Sequence, residues 1–362
     1  MSASTSRAGE PGAAQTSVRG VATGALRFSI RCGSGVEPEV FRTAAVMAEE
    51  LGFEQIWTGN DQFRRSGVIP MTLALHATNR IRVGSSVLNP VTMHPVELAG
   101  IASALADLSG GRFILGLGAG SEVFLPWAGI RPESPLARTR RGLRATRALL
   151  DGRSPAEIES AGDGWMLNAR LKDGGADVPI YLGVMGPRLL ELAGREADGV
   201  IALCLPATRF PWVKETIESG AAAADPTFAA DRRPFDLGVG LWTSIDDDAE
   251  TAKRLLATRI ATYSGALSRE ALQGAGYDPE RFDRMQQFVT DGDLDAAVAL
   301  VDDDVLRLGI AGDAGQVIEQ CLDLIDQGAR HLSFSYPRGA DASATIALVG
   351  DSVLPILRRS QS

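Results

Sequence analysis

Short, almost wholly apolar runs alternate with longer stretches of helical period from residue 26 to the end of the chain. The runs are LRFSIRC (26–32), FEQIWTG (53–59), IRVGSSVL (81–88), RFILGLG (112–118), VPIYLG (178–183), DGVIALCL (198–205), FDLGVGLWTSI (235–245) and RHLSFSY (330–336). Their β-branched, continuous apolar text reads as strands buried on both faces. Between them lie segments with apolar positions three and four apart, such as PEVFRTAAVMAEELG (38–52), PVELAGIASALADL (95–108) and GQVIEQCLDLIDQGA (315–329). Parallel strands need crossover connections, and eight strand–helix units without a long linker predict a single (β/α)8 TIM barrel of the α/β class. An open, doubly wound sheet satisfies the same local pattern and stands as the rival arrangement.

Two stretches break the rhythm. Residues 152–176, rich in Gly and Asp, fall between the fourth helix and the fifth strand; residues 246–310 read as a helical insertion after strand 7. Insertions that follow barrel strands sit at the face where barrels carry their sites, so the second is expected to shape a substrate pocket. The first 25 residues, small, polar and Gly-rich, are expected to be a disordered extension, leaving 26–362 as the barrel domain.

Composition narrows the function. The chain has 362 residues, 45% hydrophobic and 22% charged, enough for one large core. Its formal charge of −9 opposes nucleic-acid binding, and no apolar run is long enough to span a membrane. Cys32, Cys204 and Cys321 are far apart and there are only three histidines, so neither a disulfide framework nor a metal site is encoded, and a cytoplasmic location is expected. Arg138, Arg140, Arg141, Arg144 and Arg147 recur at helical spacing, as a solvated face or an anion site.

LSGGRFILGLGAG (108–120) carries glycines at 116, 118 and 120. Their G-x-G-x-G period is not the G-x-G-x-x-G of a dinucleotide loop, and the residues that follow do not open a helix. A two-residue period places all three on one face of strand 4, either to let something flat approach the strand end or to fit the taper of the barrel. After strand 5, GVMGPRLL (183–190) puts Gly-Pro at a helix start. This leaves the backbone N–H groups of Met185, Gly186, Arg188 and Leu189 facing outward, an arrangement suited to an anion.

LSGGRFILGLGAG resembles the strand-4 signature of the bacterial-luciferase-like barrels, whose members bind FMN or the deazaflavin coenzyme F420. IRVGSSVLNPVTMHPVELA (81–99), VPIYLGVMGPRLLELAGREADGVI (178–201) and the stretch from residue 293 to 341 resemble the methylenetetrahydromethanopterin reductase branch and its F420-dependent relatives. The likeness implies a non-proline cis peptide between Ser86 and Val87 that backs the deazaflavin ring. It also implies a ring-edge hydrogen bond from Asn89, and backbone at Ala119 and Gly120 lining the ring. The cofactor's phosphate-bearing tail is implied along Gly183, Val184, Met185, Gly186, Pro187, Arg188 and Leu189. It further implies a homodimer, with the helix of residues 95–108 as a subunit contact.

The chain departs from that pattern in strand 2. Relatives commonly carry Asp-His after the tryptophan strand, whereas here the text is IWTGNDQF (56–63). Asn60 and Asp61, or with a one-residue shift Asp61 and Gln62, take those places, and Asp61 could donate a proton if poor solvation raised its pKa. Otherwise it caps a turn. The branch's acidic residue at the end of strand 1 corresponds to Arg31, and a glutamate of sugar-phosphate dehydrogenase relatives corresponds to Ser121, next to Glu122. Both changes put the pterin and sugar-phosphate chemistries in question, while Arg31 is a strand-edge charge reaching solvent or suits an anionic substrate or the cofactor's tail. Ser333, Ser335 and Arg338 lie near the end of strand 8, as turn residues or as substrate contacts. His94 reads as a helix cap, Trp57 as core, and Trp127 as a stacking wall or as packing.

The resemblance therefore implies an F420-dependent oxidoreductase that moves a hydride between C5 of the deazaflavin and a small organic substrate. An FMN-dependent monooxygenase and a cofactor-binding barrel without catalysis are the alternatives.

Overall fold

The computed structural model describes residues 21, 24–120, 124–131, 134–159, 161–203, 206–224, 233–335 and 342–360. Most of the expected N-terminal extension, and Ser121, Glu122, Cys204 and Arg338, lie outside the described residues.

Eight of the described strands close into a parallel barrel. They are β1 (Arg27–Cys32), β2 (Gln55–Thr58), β3 (Arg82–Ser85), β4 (Phe113–Leu117), β5 (Ile180–Val184), β6 (Gly199–Leu203), β7 (Asp236–Gly240) and, after an excursion through β8 (Trp242–Ile245) and β9 (Gly309–Gly312), β10 (His331–Ser335). β10 pairs with both β7 and β1, so the sheet has no edge and the open-sheet rival is excluded. Alternation decides the faces. Phe28, Ile30, Ile56 and Val83 point outward into the main core beneath the helices, while Trp57, Ile114, Tyr181 and Ile201 fill the barrel's interior.

The first six helices are α1 (Pro38–Glu50), α2 (Val68–Ala77), α3 (Pro95–Ser109), α4 (Pro135–Leu150), α5 (Pro187–Glu196) and α6 (Phe210–Ala222). Proline at the first turn starts several of them, where its missing N–H is not needed. His94 caps α3 by accepting from Val96 N–H through Nδ1 at 3.3 Å, and α3 ends at Gly110 with φ 64°. Glu49 at the end of α1 accepts the N–H groups of Asn79, Arg80 and Ile81, which fixes the turn into β3. The arginine-rich α4 is mainly an ion-pair face, with Arg144 gripping Glu196 through two 2.7 Å bonds and Arg147 paired with Asp198.

The expected seventh strand divides. β7 stays in the barrel, but β8 leaves it to pair in parallel with β9, a strand that the sequence reading assigned to the insertion's helices. The cause is Trp242, which is buried in a second core with Leu256, Ile260, Phe282 and Met285 instead of in the barrel. This core holds together α7 (Ala249–Tyr263), α8 (Arg269–Gly274), α9 (Pro279–Thr290), α10 (Leu294–Val298) and α11 (Asp303–Leu306). α12 (Ala314–Asp326), started by an Asp313–Gln316 capping box, returns the chain to β10. α13 (Ala342–Leu348) and α14 (Leu354–Arg359) complete the described chain.

A polar cluster occupies the start of the strands. Asp236 accepts from Arg27 Nη2 at 2.7 Å, from Tyr181 Oη at 2.7 Å and from His331 Nδ1 at 3.0 Å, and His331 Nε2 lies 2.8 Å from Ser29 Oγ. Burial alone would raise the Asp236 pKa, but His331, Arg27 and Tyr181 overcome it and hold the carboxyl well below the usual range. Burial and the Asp236 charge push the Tyr181 phenol well above its ordinary value. Ser29, His331 and Asp236 are all buried, which makes them a structural cluster with no opening to substrate.

Among the described residues no helix is long and apolar enough to cross a membrane, and no cluster of His, Cys, Asp and Glu can hold a metal.

Candidate active site

At the opposite end, where the strands finish, β3 gives way to a bulge. The Ser86–Val87 peptide is cis. Ser86 N–H donates to Thr58 O at 2.8 Å, Leu88 N–H to Gly116 O at 2.8 Å, and Gly118 N–H to Leu88 O at 3.2 Å, so the bulge is stitched to β2 on one side and to β4 on the other. The glycines of strand 4 are the counterpart of this bulge. A β-carbon on Gly116 would stand 1.8 Å from Ser85 O, one on Gly118 would stand 2.9 Å from Val87 Cγ2, and one on Gly120 would stand 2.6 Å from Asn89 Nδ2. The flat object that approaches strand 4 is therefore first the protein's own bulge. Gly183 of β5 serves the same purpose, since its β-carbon would lie 2.5 Å from Val87 Cγ1. Val87, half-buried, is thus wedged between two glycines of neighbouring strands.

Asn89 is held by the protein. It is 2% exposed, its Nδ2 donates to Ala119 O at 2.8 Å, and its Oδ1 accepts from Val91 N–H at 2.8 Å. These bonds shape the Ala119–Gly120 turn, where Gly120 has φ 70°, and use one of the amide's two N–H donors. Ser86 Oγ, by contrast, is buried with no partner among the described residues, as are Trp57 Nε1 and Ser333 Oγ. Buried polar atoms of this kind call for a partner supplied from outside.

The loop after β2 closes on itself, with Asn60 Oδ1 accepting from Gly67 N–H at 2.8 Å. Asn60 is therefore a loop clamp. Asp61 is exposed, so the poorly solvated setting on which its donor role depends is not provided. Gln62 is the loop residue that turns inward: a β-carbon on Gly120 would be 3.6 Å from its Nε2. Arg31, half-buried at the end of β1, has no hydrogen-bond or ion-pair partner among the described residues. Ser335 Oγ donates to Leu241 O at 2.9 Å and is spent on the fold.

The end of β5 at Gly183 and Val184 leads through Met185 into α5 at Pro187, with Gly186 as a cap that offers no side chain. Leu190 N–H already bonds Gly186 O at 3.1 Å, and Pro187 has none, so the amides of Gly186, Arg188 and Leu189 are the ones left at this helix end. The Arg188 guanidinium turns aside to Glu270 of α8, 3.7 Å away, instead of joining those amides. Ser268 at the start of α8 lies 3.8 Å from the place of a Gly186 β-carbon, which brings the insertion over this corner of the mouth.

Sequence reasoning missed Phe63 and Phe124. Both join Trp127 in an aromatic cluster beside the mouth, with ring centroids 6.1 Å and 5.3 Å from that of Trp127. The signal available was an aromatic residue in each of two loops that follow barrel strands.

Comparison with known proteins agrees with this geometry. The luciferase-like monooxygenase family profile matches residues 24–331. A 5,10-methylenetetrahydromethanopterin reductase of Methanolobus tindarius is 30% identical over 319 residues, covering 86% of this chain and 94% of that protein. An F420-dependent glucose-6-phosphate dehydrogenase of Nakamurella multipartita is 29% identical, covering 89% and 93%. Among solved structures, the coenzyme F420-dependent tetrahydromethanopterin reductase of Methanopyrus kandleri superposes with a TM-score of 0.78 at 27% identity, over 92% of this chain and 99% of that one.

Proposed function

The chain belongs to the luciferase-like monooxygenase family, and from that premise we propose that it is an F420-dependent oxidoreductase transferring a hydride to or from a small organic substrate. Coenzyme F420, when bound, supplies a hydride donor or acceptor at C5 of its deazaflavin ring. The residues at the barrel mouth fit such a group. Val87, braced between Gly118 and Gly183, offers a convex apolar back for a flat ring, and the unpartnered Ser86 Oγ offers a polar contact at its edge.

The other tasks fall to this chain's own groups. Asn89 holds the Ala119–Gly120 backbone where it lines the ring. The amides of Arg188 and Leu189 receive the phosphate of the cofactor's tail at the positive end of α5. Arg31 meets an anionic part of the substrate or tail, and the insertion with Met185 and Ser268 limits access of water. The accompanying proton exchanges with solvent, since Asp61 stands in it.

The observation that carries this reading is the wedge of Val87 between Gly118 and Gly183. Titration with F420 and, separately, with FMN tests it. Binding of F420 about tenfold tighter than FMN, or better, is expected. Tight binding of FMN with oxygen consumption on reduction would replace the reading with a monooxygenase, and binding of neither would end it.

The same reading pairs two copies through α3, whose Val96, Gly100, Ala104 and Leu108 are exposed at four-residue spacing. It places the protein in the cytoplasm, where the buried thiol of Cys321 stays reduced.

A further inference from the structure

Phe63, at the tip of the β2 loop, has φ 61°, a left-handed backbone that bulky side chains seldom adopt. Among the described residues it stays open: Phe63 is 66% exposed and faces Trp127, which is 69% exposed, across 6.1 Å at 47°. Phe124, half-buried, meets Trp127 edge-on at 77°. Three rings from two separate loops are thus gathered together, two of them exposed to water and one of these on an unfavourable backbone.

Their place is specific. Phe63 follows Gln62, the residue that touches the Gly120 turn, and Phe124 and Trp127 belong to the segment that leaves Gly120. The cluster therefore stands at the outer edge of the bulge-and-glycine site. The β2 loop is braced there by the Asn60–Gly67 clamp at its base and by Arg65, whose Nη1 donates to Glu37 Oε1 at 3.3 Å in the segment after β1.

We propose that Phe63, Phe124 and Trp127 form the outer wall of the substrate port and select a flat, conjugated substrate that stacks on Trp127 beside the reacting centre. The proposal rests on the oxidoreductase reading for the position of that centre. An exposed aromatic face gains from a second π-face in offset or edge contact, and a saturated ring of the same carbon skeleton lacks the flatness and the quadrupole to do so. Water is displaced from the ring faces only by an occupant that matches them.

Calorimetric titration with 2-naphthoate and with its saturated counterpart, decahydronaphthalene-2-carboxylate, tests this on the full chain with and without F420. Naphthoate is expected to bind about tenfold tighter than the saturated acid, with the difference lost in Trp127→Ala and reduced in Phe63→Gly. Glycine is at home at φ 61°, so Phe63→Gly is expected to keep the melting temperature and the F420 affinity of the parent while removing the ring. Equal binding of the two acids, no saturable binding of either, or naphthoate binding untouched by both substitutions would overturn the proposal. So would a loss of assembly mass in either variant by sedimentation, which would make the rings a subunit contact. Failure of F420 to bind the parent chain would instead strike the oxidoreductase reading, and the titrations without F420 would still judge the aromatic wall.

Discussion

Ser85 and Gly116 meet with no room for a side chain between them. Ser85 Oγ donates to Gly116 O at 2.9 Å and accepts from Gly116 N–H at 2.8 Å, and a β-carbon on Gly116 would fall 1.8 Å from Ser85 O. Because the obstacle is backbone, it cannot rotate away. Gly116→Ala is expected to cost about 3 kcal/mol or more in a urea unfolding experiment, at the upper end of overpacking effects. Gly33→Ala just after β1, where nothing lies within 4 Å, is the opposite case and is expected to change stability by less than about 0.5 kcal/mol. If both alanines had the same effect, the close seam between β3 and β4 would not exist.

Gly183 opposes a side chain that can yield. Its β-carbon would press on Val87 Cγ1, at 2.5 Å, and the easiest response is a shift of Val87. Gly183→Ala is therefore expected to cost only about 1 kcal/mol of stability while weakening F420 binding about tenfold. Paired unfolding and F420 titrations read the two effects separately, and a loss of stability without a loss of affinity would detach Val87 from the cofactor.

These two glycines also show how far the sequence could be read. The G-x-G-x-G period marked a close approach at strand 4, but the approaching atoms belong to β3, and no local pattern specifies which neighbour a strand will meet. The barrel itself was legible because each strand–helix unit carries its own periodicity. β8 and β9 were not, since Trp242 follows Leu241 in one unbroken apolar run and only the distant Leu256, Phe282 and Met285 draw it away. The cluster of Ser29, Tyr181, Asp236 and His331 escaped for a similar reason: each is a single polar residue at an inward position of a different strand. Asn89 was found by its motif, yet its task became clear only from the partners of its amide.

Asp236 should govern the acid limb of stability. Its folded pKa is depressed below the unfolded value of about 3.9, so its contribution is complete above that value and fades as the pH falls through it. The wild-type urea midpoint is expected to drop steeply below about pH 4, and Asp236→Asn should flatten that limb while costing about 3 kcal/mol at neutral pH by leaving Arg27 and His331 without their carboxylate. Glu49, whose pKa burial would raise but three backbone N–H bonds lower, leaves a residual slope of the same sign. An unchanged limb in Asp236→Asn would show that the cluster is not what acid disrupts.

Asp61 and Asn89 should respond oppositely to substitution. Asp61 is exposed on a loop clamped by Asn60, so Asp61→Asn is expected to leave kcat within about twofold across the pH range, as solvent supplies the same proton. Asn89→Ala removes the bond to Ala119 O and the acceptor of Val91 N–H, leaving buried backbone groups unpaired and freeing the turn that lines the ring. Its F420 affinity is expected to fall about tenfold, with rescue by Asn89→Gln only if the longer amide regains both partners. A large, pH-dependent loss of kcat in Asp61→Asn would restore the carboxylate as the proton donor and would require the β2 loop to fold inward over the mouth during turnover.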